Sequence, residues 1–149
     1  MKSKWILTMI SLSYILMGCS QKDLKQEPLM FGKAVIWANI GCNQKEINHF
    51  FNYQKDPKIG LIYQINDNAT LEFDNEYDID ISYIKDSSYL SRILHLRYDA
   101  KDKKVEISNI DGDKWILITK IGYLDGLKIT PGQKMSFSGE YIERSICPI

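Results

Sequence analysis

Tyr77-Asp78-Ile79-Asp80-Ile81-Ser82-Tyr83 is the stretch that decides the fold class. Residues 77, 79, 81 and 83 are apolar or aromatic and 78, 80 and 82 are polar. That period of two marks a strand with one buried face. The pattern continues outward. Leu94, Leu96 and Tyr98 read as inward against His95, Arg97 and Asp99 outward. After the polar turn Lys101-Asp102-Lys103-Lys104, Val105 and Ile107 continue a hairpin. Asp111-Gly112-Asp113 is a second turn, and the run Trp115 to Leu124 reads as a central strand. Past Pro131-Gly132, Met135, Phe137, Gly139 and Tyr141 alternate with Lys134, Ser136, Ser138 and Glu140. Upstream, Leu71 and Phe73 alternate with Thr70, Glu72 and Asp74, and Asp67-Asn68 separates them from a strand over 59–66.

One helix interrupts the strands. Asn43 offers an N-cap, with Glu46 three residues on as in a capping box. Ile47, Phe50 and Phe51 share one helical face, and Asp56-Pro57 stops the helix, which is expected over about 44–53. Lys33 to Gly41 before it reads as a buried strand. Seven or eight short strands with frequent turns predict a mainly β protein. The expected form is a single antiparallel β-sandwich or small barrel with one short N-terminal helix.

The chain has 149 residues, with 19 basic and 19 acidic side chains. Length indicates one domain. The balanced charge argues against a nucleic-acid partner, which a basic excess would favour. With 11 % aromatics, the composition is not that of a disordered chain.

The N-terminus reads as an address. Lys2 and Lys4 precede thirteen uncharged residues, Trp5 to Met17. That is too short for a membrane span of about twenty residues and fits a signal-peptide core of about 7–15. Leu16-Met17-Gly18-Cys19 resembles the lipobox of bacterial lipoprotein precursors. The resemblance covers only residues 1 to about 20. It implies cleavage between Gly18 and Cys19, diacylglycerol on the Cys19 thiol, and usually acylation of the new amino group. The bilayer then becomes a partner through acylated Cys19, since two or more chains anchor stably. By the same likeness, Ser20 in place of Asp favours the outer membrane if the source is Gram-negative. The expected organisation is a signal peptide at 1–18, a lipidated cysteine and polar tether at 19–28, and one β-rich domain at 29–149. Loss of Lys2 and Lys4 leaves 17 basic against 19 acidic residues, so the mature net charge gives no added attraction to anionic lipid.

Lipidation also settles the cysteine count. With Cys19 used, Cys42 and Cys147 remain, and an even pair in an exported chain reads as a disulfide. It closes a loop of about 105 residues, for which chain entropy gives about 4–5 kcal/mol. No Cys-x-x-Cys occurs and the only histidines are His49 and His95, so neither metal nor cofactor is expected.

Catalytic signals are sparse. There is no Gly-x-Ser-x-Gly elbow. Ser136 or Ser138 with His95 and an aspartate is a combination found in almost any chain. Asp78 and Asp80, with Asp74 and Glu76 nearby, could be paired carboxylates or a solvated strand face. The Asp111-Gly112-Asp113 run lacks the spacing of an EF-hand calcium loop. Nine tyrosines leave room for an aromatic interface. The resulting expectation is a non-enzymatic, membrane-anchored envelope lipoprotein that binds a protein partner, of assembly, immunity or inhibitor type. The rivals are an envelope hydrolase around Asp78, Asp80 and His95, and a carrier of a small ligand or metal.

Overall fold

The computed structural model describes residues 24–65, 70–102, 104–108, 112–137 and 147. The lipobox and signal peptide lie outside them, as do the Asp67-Asn68 turn, Asp111, Ser138, Gly139 and Tyr141. In chain order the elements are β1 (Gln26–Phe31), β2 (Ala34–Gly41), α1 (Gln44–Tyr53), β3 (Ile59–Gln64), β4 (Thr70–Asp74), β5 (Ile79–Lys85), β6 (Leu90–Leu96), β7 (Lys104–Ser108), β8 (Asp113–Lys120), α2 (Tyr123–Gly126) and β9 (Met135–Phe137). Seven strands form one sheet in the order β6-β5-β8-β3-β2-β1-β9, and β4 pairs with β7 in a second. The fold is mainly β and sandwich-like, as expected.

The chain enters through a β1–β2 hairpin whose turn uses Gly32 at φ +61°. β1 starts at Gln26, inside the stretch expected as a polar tether. Gln26, Glu27 and Pro28 pair with Asn39, Ala38 and Trp37. The backbone ladder recruits them despite their polar or ring side chains. Pro28, which has no N–H, precedes the β1–β9 pairing, which among the described residues runs from Leu29 to Phe31. The helix falls where the capping box put it. Asn43 accepts from the Glu46 N–H at 3.0 Å, while Glu46 accepts from the Cys42 N–H at 2.6 Å. It carries the chain over to β3, which runs parallel to β2. Parallel strands need such a crossover, so one β-α-β unit stands inside an otherwise antiparallel design.

Two cores flank the large sheet. On its inner face every strand contributes, including Leu29, Ile36, Ile62, Ile84, Leu90, Leu117 and Phe137. The sheet curls around this cluster until its edges touch at the Tyr89–Lys134 bridge, where Met135 N–H donates to Ser88 O. Leu90 adds to this seam, donating to Gln133 O and accepting from the Gly132 N–H, and among the described residues the sheet does not close into a barrel. The disulfide joins Cys42, just past β2, to Cys147 with Cα atoms 5.4 Å apart, and both cysteines pack on this inner cluster. The outer core is laid by α1 and the β4–β7 pair over β3, β8 and β5, using Phe51, Phe73, Ile81, Ile107 and Ile118. Phe51 and Phe73 stack with centroids 4.2 Å apart. Gly60 permits the tight sheet: a Cβ there would lie 3.0 Å from the Leu117 side chain and 3.1 Å from Ile118 O.

This double core corrects several expectations. β5 is buried on both faces, Asp80 and Ser82 included, because it is central and sandwiched between the two clusters. β7 makes no hairpin with β6; it pairs with β4 and drops Ile107 into the outer core. The central strand ends at Lys120, and Tyr123 and Leu124 begin the short α2. Leu94 and Tyr98, expected inward, are exposed near the end of edge strand β6. β2 is buried unevenly: Val35 and Trp37 stand exposed on the outer face, while Asn39 and Gly41, further along the same face, lie under α1.

Candidate functional site

Two features carry functional chemistry. The first is a carboxylate–imidazole pair. Asp80 on β5 faces His95 on β6 and Thr119 on β8 in register. It is 1 % exposed. Its Oδ1 lies 2.6 Å from His95 Nδ1, and its Oδ2 accepts from the Gly122 N–H at 2.9 Å. Gly122, at φ +75°, leads into α2, so Asp80 also fixes that turn. The His95 ring is half exposed. The hydrogen bond to Asp80, and then the Asp80 charge, hold the imidazole pKa above the ordinary histidine value; burial opposes this and Asp125 adds to it.

An aspartate orienting one imidazole nitrogen is two-thirds of a nucleophilic triad. The remaining third is missing among the described residues. No hydroxyl or thiol there is hydrogen-bonded to His95, and Ser136 lies on β9, where it pairs with Met30. The Ser82 and Thr119 hydroxyls are buried and without partners. Asp78 is not paired with Asp80: it accepts from the Tyr98 N–H at 2.7 Å. His49 sits on α1 against Tyr53, with ring centroids 4.7 Å apart. Asp113 is likewise consumed by the fold. It accepts from Ser91 Oγ at 3.0 Å and lies 3.6 Å from Arg92 Nη2, whose guanidinium covers the Tyr83 ring at 4.0 Å. Among the described residues no cluster of three or more His, Cys, Asp or Glu could hold a metal ion.

The second feature is a groove between the end of α1 and the outer face of β3, β8 and β5. Phe50, Ile59, Tyr77, Ile79 and Ile118 make it apolar within, and Lys55, Asp56, Glu76 and Lys120 line it with both signs of charge. Its volume is about 230 Å³. Asp56-Pro57, which ends the helix, forms one wall. Burial, and then the Glu76 charge, push the Tyr77 hydroxyl pKa up. Ile59 is the register partner of Trp37, so the groove adjoins the bare strip of β2. The helix stop and Tyr77 are each legible in the local pattern. Their meeting is not, because they lie on separate elements.

No protein-family model and no curated protein matches this chain. Among solved structures it is similar to a candidate transcription regulator from Sinorhizobium meliloti 1021. The TM-score is 0.58 at 14 % identity, over 78 % of this chain and 96 % of that one. It is also similar to a protein of unknown function from Novosphingobium aromaticivorans DSM 12444. There the TM-score is 0.60 at 18 % identity, over 78 % and 89 % of the two chains. At such identities the likeness shows a shared fold.

Proposed function

We propose that this chain is a membrane-anchored lipoprotein of the bacterial cell envelope that binds a protein partner without catalysing a reaction on it. In a Gram-negative source it sits on the outer membrane, tethered through acylated Cys19. The lipobox supports the anchor. One observation carries the binding role: the groove beside α1 is apolar within and charged at its lining. Its volume of about 230 Å³ lies below the roughly 300–1,000 Å³ of small-molecule pockets. It suits one or two apolar side chains of a partner segment, with Lys55, Lys120, Asp56 and Glu76 reading the flanking charges. Buried anchor side chains of this kind dominate protein interfaces.

The test is a photo-crosslinking amino acid at the exposed Lys120 position in native envelopes. The expected result is one dominant crosslinked protein, lost when Ile59→Trp fills the groove while the circular dichroism is unchanged. A crosslink that survives groove filling, or no protein crosslink, overturns the reading.

The Asp80–His95 pair favours a second reading, an envelope hydrolase. His95→Gln decides it: turnover on an envelope substrate would fall with the fold intact. A binding module loses nothing in its phenotype.

A further inference from the structure

We infer that the bare outer strip of β1 and β2 is a lipid-contacting face, which holds the domain flat against the bilayer that anchors it. The inference rests on the Cys19 anchor and goes beyond it by naming the face that meets the membrane.

Three observations converge on that strip. First, Val35 and Trp37 of β2 are 44 % and 51 % exposed. Their register partners on β1, Met30 and Pro28, share this outer face, and Ile59 extends it across β3. α1 and the β4–β7 pair cover the outer face over β3, β8 and β5, and α1 reaches Asn39 and Gly41 of β2, but Val35 and Trp37 stay open. Second, the strip lies at the tether. Trp37 is paired with Pro28, two residues into β1. From Cys19 to Leu24 the chain spans at most about 18 Å, at roughly 3.3–3.6 Å per residue. The anchor therefore keeps the start of β1, and the face beside it, within that distance of the headgroups. Third, the chemistry suits an interface. Tryptophan is favoured where one side is apolar and the other wet. Tyr53, 56 % exposed, stands at the end of α1, beside a shallow cavity shared with Leu24 and Gln26 at the tether end of β1. Lys25, near the start of β1, is paired with Glu27 at 2.5 Å. The contact is thus apolar, and it takes zwitterionic lipid without needing anionic headgroups.

The mature chain retains two tryptophans, Trp37 and the buried Trp115. That makes the test direct. The processed, lipidated protein is reconstituted into phosphatidylcholine vesicles carrying a nitroxide near the glycerol level, and its tryptophan emission is compared with that in nitroxide-free vesicles. The expected result is loss of the Trp37 share of the emission. Trp37→Phe or Trp37→Tyr removes that quenching, and raised salt leaves it in place. Protein that floats with the vesicles yet shows no Trp37 quenching overturns the lipid-facing strip and leaves the anchor standing. Protein that does not float overturns both. Trp37 shielded from aqueous iodide in native envelopes but untouched by the lipid nitroxide assigns the strip to a protein partner and overturns the inference.

Discussion

The two faces of the seven-stranded sheet are built to different ends. The inner face draws apolar side chains from all seven strands and is wrapped by the curl of the sheet. The outer face has a helix and two strands over β3, β8, β5 and the end of β2, and leaves Val35 and Trp37 exposed. The inner face therefore supplies stability. The outer face leaves a groove and an exposed tryptophan beside it. Surplus apolar surface is tolerated where it has a use. It follows that changes on the two faces should separate loss of fold from loss of binding.

The largest effect is expected inside. Leu117 is fully buried in the inner core. Leu117→Ala should cost about 3–4 kcal/mol, read as a lower urea midpoint with an unchanged slope. Trp37→Ala, on the other face, should change stability by less than about 1 kcal/mol. Equal costs at the two positions would erase the distinction between the faces. Next comes the inner staple. Cys42→Ser with Cys147→Ser opens the loop of 105 residues and should cost about 2–4 kcal/mol, measured by thermal unfolding under non-reducing conditions. A melting temperature indistinguishable from the parent would show that the link adds nothing to this core.

The smallest effect is a slope with pH. Because Asp80 raises the His95 pKa, the charged pair stabilises the fold below the ordinary value of about 6.5. That contribution fades as pH rises through the raised value. The melting-temperature gap between the parent and His95→Gln should therefore be widest near pH 5.5 and shrink by about pH 8.5. A gap that is flat or that grows with pH would falsify the ion-pair account. Since His95 is half exposed, the effect should also weaken with salt.

How much of this was legible depends on the range of the interactions involved. α1 was readable to the residue, because its cap and apolar face lie within ten consecutive positions. The Cys42–Cys147 link followed from counting. β5 is legible as a strand but not in its exposure. Alternation reports which side chains differ, and Asp80 and Ser82 look solvated until a second layer covers them. The pairing of β7 with β4 was unreadable, because the nearer partner β6 offers the same pattern.

The site divides in the same way. Local pattern and composition are enough for the mainly β class, the helix, the cysteine pair and, through the lipobox resemblance, the expectation of an anchor. All of these rest on neighbours within a few residues or on composition. It takes the folded arrangement to bring Asp80 onto His95, to line one groove with Phe50, Ile59 and Tyr77, and to leave Trp37 bare. Those facts depend on which strands lie side by side and which half of a face a helix covers. Contacts between residues distant in the chain are set by the packing of whole elements, and local pattern carries no record of that choice.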